Sequence, residues 1–150
     1  MYQTKDLKIV LQEWADAFMA RSMREWMRYV RGTGLSMPQF STLMRLYYHG
    51  GCGLSDITAD LEVTAAAASQ MVDRMVRDGY LARTEDPNDR RARQITLTER
   101  GRQLVMEGIA VRNRWTERLA ERLAAAEHTA IGQVLHTLTQ ATRQLDDSKD

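Results

Sequence analysis

Apolar residues recur along this chain at helical spacing in six stretches and change to alternation in only one place. From Lys5 to about Arg31, Leu7, Val10, Leu11, Trp14 and Phe18 share a face that Met23, Trp26, Met27 and Val30 continue. That predicts one long helix, stopped by Gly32 and Gly34. Ser36-Met37-Pro38-Gln39 has the form of a helix start: Ser36 caps, Gln39 reaches back, and Pro38 lies in the first turn where no donor is needed. Phe40, Leu43, Met44, Leu46 and Tyr47 form the next stripe, and His49 to Gly53 breaks it as a turn. Leu54 to Leu61 predicts a short helix capped by Ser55, with Ile57 and Leu61 inward, and Glu62-Val63 is the tight turn after it.

The stretch from Thr64 to Leu97 organises the rest. Thr64 can cap, Ala65 to Ala68 are strong helix formers, and Ala68, Met71, Val72 and Met75 form one buried face. Gly79 stands where a helix closes in a left-handed turn. The period then becomes two. Tyr80 to Thr84 and Gln94 to Leu97 suit short strands, separated by a polar loop with Pro87 and the charged run Asp89, Arg90, Arg91, Ala92, Arg93. Thr98 opens a second long helix with Leu104, Val105, Ile109, Trp115, Leu119 and Leu123, running to about Ala124. After a break near residues 125–127, Ile131, Val134, Leu135, Leu138, Ala141 and Leu145 mark a last helix, and Asp146 to Asp150 should fray. Two helices with a short link, then a basic hairpin, give a winged helix-turn-helix. The fold class is mainly α with a two-stranded β wing. A DNA-binding lobe is expected over about residues 36–98. Helices over about 5–31 and 99–145 flank it in a single domain spanning 1–150. Their wide apolar stripes exceed what the lobe can cover, which points to dimerisation.

Composition alters this picture little. An apolar content of 43% and a charged content of 27% belong to an ordinary globular chain, and the net charge is only +1. Distribution says more. Residues 74–102 hold eight arginines against five acids, so basic charge collects on the helix and wing. Arginine, with its planar bidentate donors, supplies 18 of the 21 basic residues. One cysteine, Cys52, allows no internal disulfide. The first residues lack the apolar core of a secretory signal, and no apolar run reaches membrane-spanning length. The expected location is therefore cytoplasmic.

The run Asp86-Pro87-Asn88-Asp89-Arg90-Arg91, followed by Ile95-Thr96-Leu97-Thr98-Glu99-Arg100-Gly101, resembles the wing and following helix start of the MarR family of bacterial transcription regulators. Val72-Asp73-Arg74-Met75 and Asp78-Gly79-Tyr80-Leu81 resemble it too, and the likeness covers essentially the whole chain. It implies a homodimer, its first and last two helices interlocked between subunits, on double-stranded DNA with a pseudo-palindromic operator. It further implies a repressor more often than an activator. On the reading helix, Thr64, Ala66, Ala67, Ser69 and Gln70 are the DNA-facing candidates. Gln70 can pair in bidentate fashion with adenine, Ser69 can meet a base or a phosphate, and the alanines can touch thymine methyls. Arg74 and Arg77, a turn further on, suit phosphate. In the wing the resemblance assigns Arg90 to a minor groove and Arg91 to a pairing with Asp73 that ties wing to helix.

The resemblance also implies a cleft for a small aromatic or lipophilic effector near Trp14, Phe18, Phe40, Met44, Tyr47, Arg112 and Trp115, with Arg112 suited to a carboxylate. Plain aromatic packing is the competing reading of the same residues. No cofactor or metal is expected: His49, His128 and His136 lack ligand spacing. No phosphate loop or nucleophile–base pattern indicates an enzyme. Two alternatives stay open, an adaptor that kept the fold without DNA binding, and a regulator that senses oxidant or metal through Cys52 or the histidines.

Overall fold

The computed structural model describes residues 4–85 and 93–147. In chain order the elements are α1 (Thr4–Thr33), α2 (Met37–His49), α3 (Leu54–Leu61), α4 (Ala65–Arg77), β1 (Leu81–Glu85), β2 (Arg93–Leu97), α5 (Glu99–Arg122), a 3-10 turn (Ala125–Glu127) and α6 (His128–Asp147). The fold is mostly helical with one two-stranded antiparallel sheet, the winged-helix arrangement its sequence pattern predicts. The chain divides into two compact units, Met1–Arg112 and Asn113–Asp150.

Within the first unit, local chemistry sets most boundaries. α1 runs through Gly32 and ends at Thr33; Gly34, at φ 74°, makes the stop. A glycine inside a helix costs only about 1 kcal/mol, so Gly32 does not end it. α2 starts with the expected capping box: Gln39 N–H donates to Ser36 Oγ at 3.4 Å, and Ser36 N–H donates to Gln39 Oε1 at 2.8 Å. The cap of α3 is Gly53 and not Ser55, which lies inside the helix. Asp56 decides this by reaching back to accept the Gly53 N–H at 2.9 Å. Between α3 and α4, Glu62 takes the left-handed conformation at φ 53° to keep the turn short.

One core joins these elements. Leu43 and Leu46 of α2, Ile57 of α3, Ala68, Val72 and Met75 of α4, Leu81 of β1, Ile95 of β2 and Val105 of α5 are buried together. A smaller cluster holds Trp26 and Val30 of α1 against Phe40 of α2, with Trp26 and Phe40 edge to face at 4.8 Å. α1 is therefore two helices in character. Its second half is core, whereas Leu7, Val10 and Trp14 in its first half remain 43–48% exposed. Where α1 crosses α5, Gly108 leaves no room for a side chain: a Cβ there would stand 2.9 Å from Tyr29 Cε1. Beside it the Tyr29 hydroxyl donates to the Leu104 carbonyl at 2.8 Å. Burial, then the Glu107 carboxylate, pushes that hydroxyl up to about 12.

The exit from α4 is the tightest joint. Tyr80 N–H donates to Met75 O at 2.9 Å and Gly79 N–H to Val76 O at 3.0 Å, the paired bonds of a Schellman close, with Gly79 at φ 78°. Thr98, at the start of α5, clasps this turn. Its hydroxyl donates to Gly79 O at 2.7 Å and accepts the Gly101 N–H at 3.1 Å, while its own N–H donates to Tyr80 O at 3.1 Å. Gly101 then lies so near that a Cβ on it would come within 2.2 Å of Tyr80 O.

In the second unit, Ala124 N–H donates to Glu127 Oε2 at 3.3 Å across the 3-10 turn. α6 continues through Asp147, so the fraying expected from Asp146 is not seen at 146–147, and 148–150 lie outside the described residues. Leu119, Val134, Leu135 and Leu145 are exposed.

Gly101→Ala should destabilise the protein by about 1–3 kcal/mol through overpacking against backbone. Gly132→Ala, with nothing within 4 Å of the new Cβ, should be neutral or stabilise by about 0.5–1 kcal/mol. Urea unfolding of the two variants checks both signs; equal destabilisation would refute the contact argument.

Candidate nucleic-acid interface

α4 separates its two duties by face. The helix starts because Thr64 Oγ1 accepts the Ala67 N–H at 3.2 Å. Ala68, Val72 and Met75 are fully buried, and Met71 half-buried. Thr64, Ala66, Ala67, Gln70, Arg74 and Arg77 consequently emerge exposed on the other side, with Ser69 and Asp73 half-buried at its margins. Gln70, Asp73, Arg74 and Arg77 line one open depression. Two guanidiniums and an amide thus lie along one helix face. In the first turn three exposed alanines keep the surface low, so backbone N–H groups at the positive helix end can approach a phosphate. Arg45 of α2 pairs with Asp60 of α3, fixing the helix that precedes α4.

The wing grows from the core. Leu81 and Ile95 are buried at its base, and the register runs from Leu81↔Leu97 to Glu85↔Arg93. Cys52 adds a further rung by exchanging both backbone bonds with Ile95, at 3.1 and 2.8 Å. Asp73 is met from this wing strand: Arg83 Nη2 stands 2.7 Å from Asp73 Oδ1. The sequence reading had passed over Arg83. Its signal was the alternation itself, which puts Arg83 on the same strand face as Leu81 and directly opposite Ile95, toward α4. Arg90 and Arg91 lie outside the described residues, as does the pairing expected between Arg91 and Asp73.

Cys52 is buried, and burial, with the Asp56 and Asp60 carboxylates adding to it and Arg45 opposing, pushes its thiol up. That lowers the thiolate fraction that oxidant chemistry requires. Among the described residues, no three His, Cys, Asp or Glu side chains gather to hold a metal. No helix among the described residues is long and apolar enough to cross a membrane.

Away from α4, a cavity of about 280 Å³ opens between α1 and α5, lined by Phe18, Met19, Ser22, Met23, Trp26 and Arg112. The Arg112 guanidinium lies 5.7 Å over the Trp26 ring. Of the residues expected around an effector, Phe18 and Arg112 line this cavity. Trp14 stacks on Phe18 at 5.2 Å, Phe40 packs edge-on behind Trp26, and Met44 and Tyr47 pack against the core, Tyr47 beneath Arg102. Trp115 belongs to the second unit and is half-buried there. Met19, Ser22 and Met23 line it too; in the sequence Met19 and Ser22 fall off the apolar stripe and Met23 reads as part of it, so none of them marks a cleft.

The model of the MarR family matches residues 35–92, from the turn before α2 into the wing. The transcriptional activatory protein BadR of Rhodopseudomonas palustris is 30% identical over 127 residues, covering 81% of this chain and 69% of its own. This chain belongs to the MarR family of transcription regulators. Within that family it is also similar to the transcriptional repressor MdtR of Bacillus subtilis, at 27% identity over 91% of this chain and 85% of its own. Across the curated relatives it matches, the chain spans between 44% and 85% of their length. The fold is that of the transcriptional regulator Tm0710 of Thermotoga maritima, with a TM-score of 0.78, 24% identity, and coverage of 98% of this chain and 100% of that one. MarR regulators are DNA-binding proteins with a helix-turn-helix fold rather than enzymes.

Thr64→Ala should cost about 1 kcal/mol of stability by removing the α4 cap. Thermal unfolding at fixed pH and salt measures it; an unchanged midpoint would show that the hydroxyl does not hold the helix start.

Proposed function

We propose that this protein reads a pseudo-palindromic operator as a cytoplasmic homodimer and represses transcription until a small aromatic or lipophilic molecule releases it. The observation that carries the reading is the exposed face of α4. Thr64, Ala66, Ala67, Gln70, Arg74 and Arg77 are exposed and Ser69 lies half-buried beside them, while their neighbours Ala68, Val72 and Met75 are sealed in the core. Gln70 and Ser69 would contact base edges and Arg74 and Arg77 phosphates, with Arg90 and Arg91 of the wing at the flanking groove.

Dimerisation is supported by apolar surface. Leu7, Val10 and Trp14 in α1 and Val134, Leu135 and Leu145 in α6 are exposed well beyond what an isolated chain needs. The helices over about 5–31 and 99–145 would carry it, around a single domain with its DNA-binding lobe over about 36–98. Repression is favoured because the relative named a repressor, MdtR, aligns over the larger share of this chain. For release, the cavity between α1 and α5 has the size and the mostly apolar lining of a small-molecule site, with Arg112 suited to an acidic group. An occupant there would favour one setting of α5 and hence one spacing of the paired reading heads.

Selection of bound duplexes from a random library at moderate salt tests the reading. Survivors should share a two-fold symmetric site with half-site centres about one helical turn apart. A retained pool without a common motif, or no retained DNA, would favour an adaptor instead. On the recovered site, Gln70→Ala should relax preference at one position per half-site by about 1–3 kcal/mol. Arg90→Ala should weaken binding to every duplex and reduce the salt slope by about 1.

A further inference from the structure

Asp73 poses a problem that the DNA-facing role of α4 does not solve. It is the single acid in α4, and it lines the same depression as Gln70, Arg74 and Arg77. A carboxylate there would face phosphates of like charge. Arg77 stands four residues on, at helical pairing distance, but pairing with it would spend a cation suited to DNA. The structure uses a different cation. Arg83 arrives from β1, with Nη2 at 2.7 Å from Asp73 Oδ1. Its backbone sits on a strand face anchored by buried Leu81 and opposite buried Ile95, so the base of its side chain is held by the core.

We propose that Arg83 is a positioning residue for DNA recognition, acting through Asp73. It neutralises the one acid of α4 and leaves Arg74 and Arg77 to the DNA. The inference rests on α4 facing DNA, and it adds a residue that need not touch DNA itself. Both side chains are 40–45% exposed, so the pair adds little to folding stability and its value lies in the field presented to the duplex.

Affinity for the selected operator duplex at two salt concentrations tests it, using wild type, Arg83→Ala, Asp73→Asn and the double variant. Arg83→Ala should weaken binding about tenfold by exposing the Asp73 charge to phosphates. Arg83→Met, which keeps the stem and loses the charge, should do the same. Asp73→Asn should weaken binding less than Arg83→Ala does, and Arg83→Ala/Asp73→Asn should bind within about twofold of Asp73→Asn, since the acid to be masked is gone. Unfolding midpoints of all variants should agree within a few degrees. A double variant as weak as Arg83→Ala would overturn the proposal and make Arg83 a direct phosphate contact. Wild-type affinity in Arg83→Ala would overturn it as well. If wild type itself retains no duplex, this inference and the regulator reading fall together.

Discussion

The clasp that Thr98 makes on the end of the reading helix is the constraint on which the first unit depends. One hydroxyl donates to Gly79 O and accepts from Gly101 N–H, and the same residue's backbone bonds Tyr80. Three elements are thereby referred to one point: α4 closes there, β1 leaves there and α5 begins there. Gly101 lets them meet at backbone distance, since any side chain would strike Tyr80 O. The core below, from Leu43 to Val105, fills the angle that this joint sets. Packed interiors resist gradual deformation, so α4 and the start of α5 are expected to move together.

α1 meets this assembly from the other end. Its second half is bound in by Trp26, Val30 and Tyr29, while its first half keeps a broad apolar surface. The cavity lies where one character gives way to the other, at Phe18 to Trp26, and Arg112 closes it from α5. Gly108 brings α1 and α5 into close contact just beyond, on the helix that starts at the Thr98 joint.

Most of the architecture was legible in the sequence. All six helices and both strands follow from apolar period, and the caps at Ser36, Thr64 and Thr98 follow from residue type, because a hydroxyl before an apolar stripe has few other local uses. The misplaced boundaries share one cause. Gly32 and Gly34, or Gly53 and Ser55, are equivalent candidates until a partner is known, and Asp56 chose the glycine. The candidate site was legible on α4, where burial of one face dictates exposure of the other. It was less so wherever two elements had to be brought together. Arg83 and Asp73 are ten residues apart in different elements, and Ser22, off the apolar stripe, is part of a cavity wall. Such encounters depend on crossing angles, which no local period encodes.

The division of α4 into a sealed face and an open one bears on how such a protein can change over time. Ala68, Val72 and Met75 carry the helix's debt to the fold, and Ala66, Ala67 and Gln70 carry none. Replacements at those open positions leave the core as it was, so single exchanges there can be sampled without first compromising a stable molecule. The same freedom would let an engineer rewrite three surface residues while every packed residue stays in place.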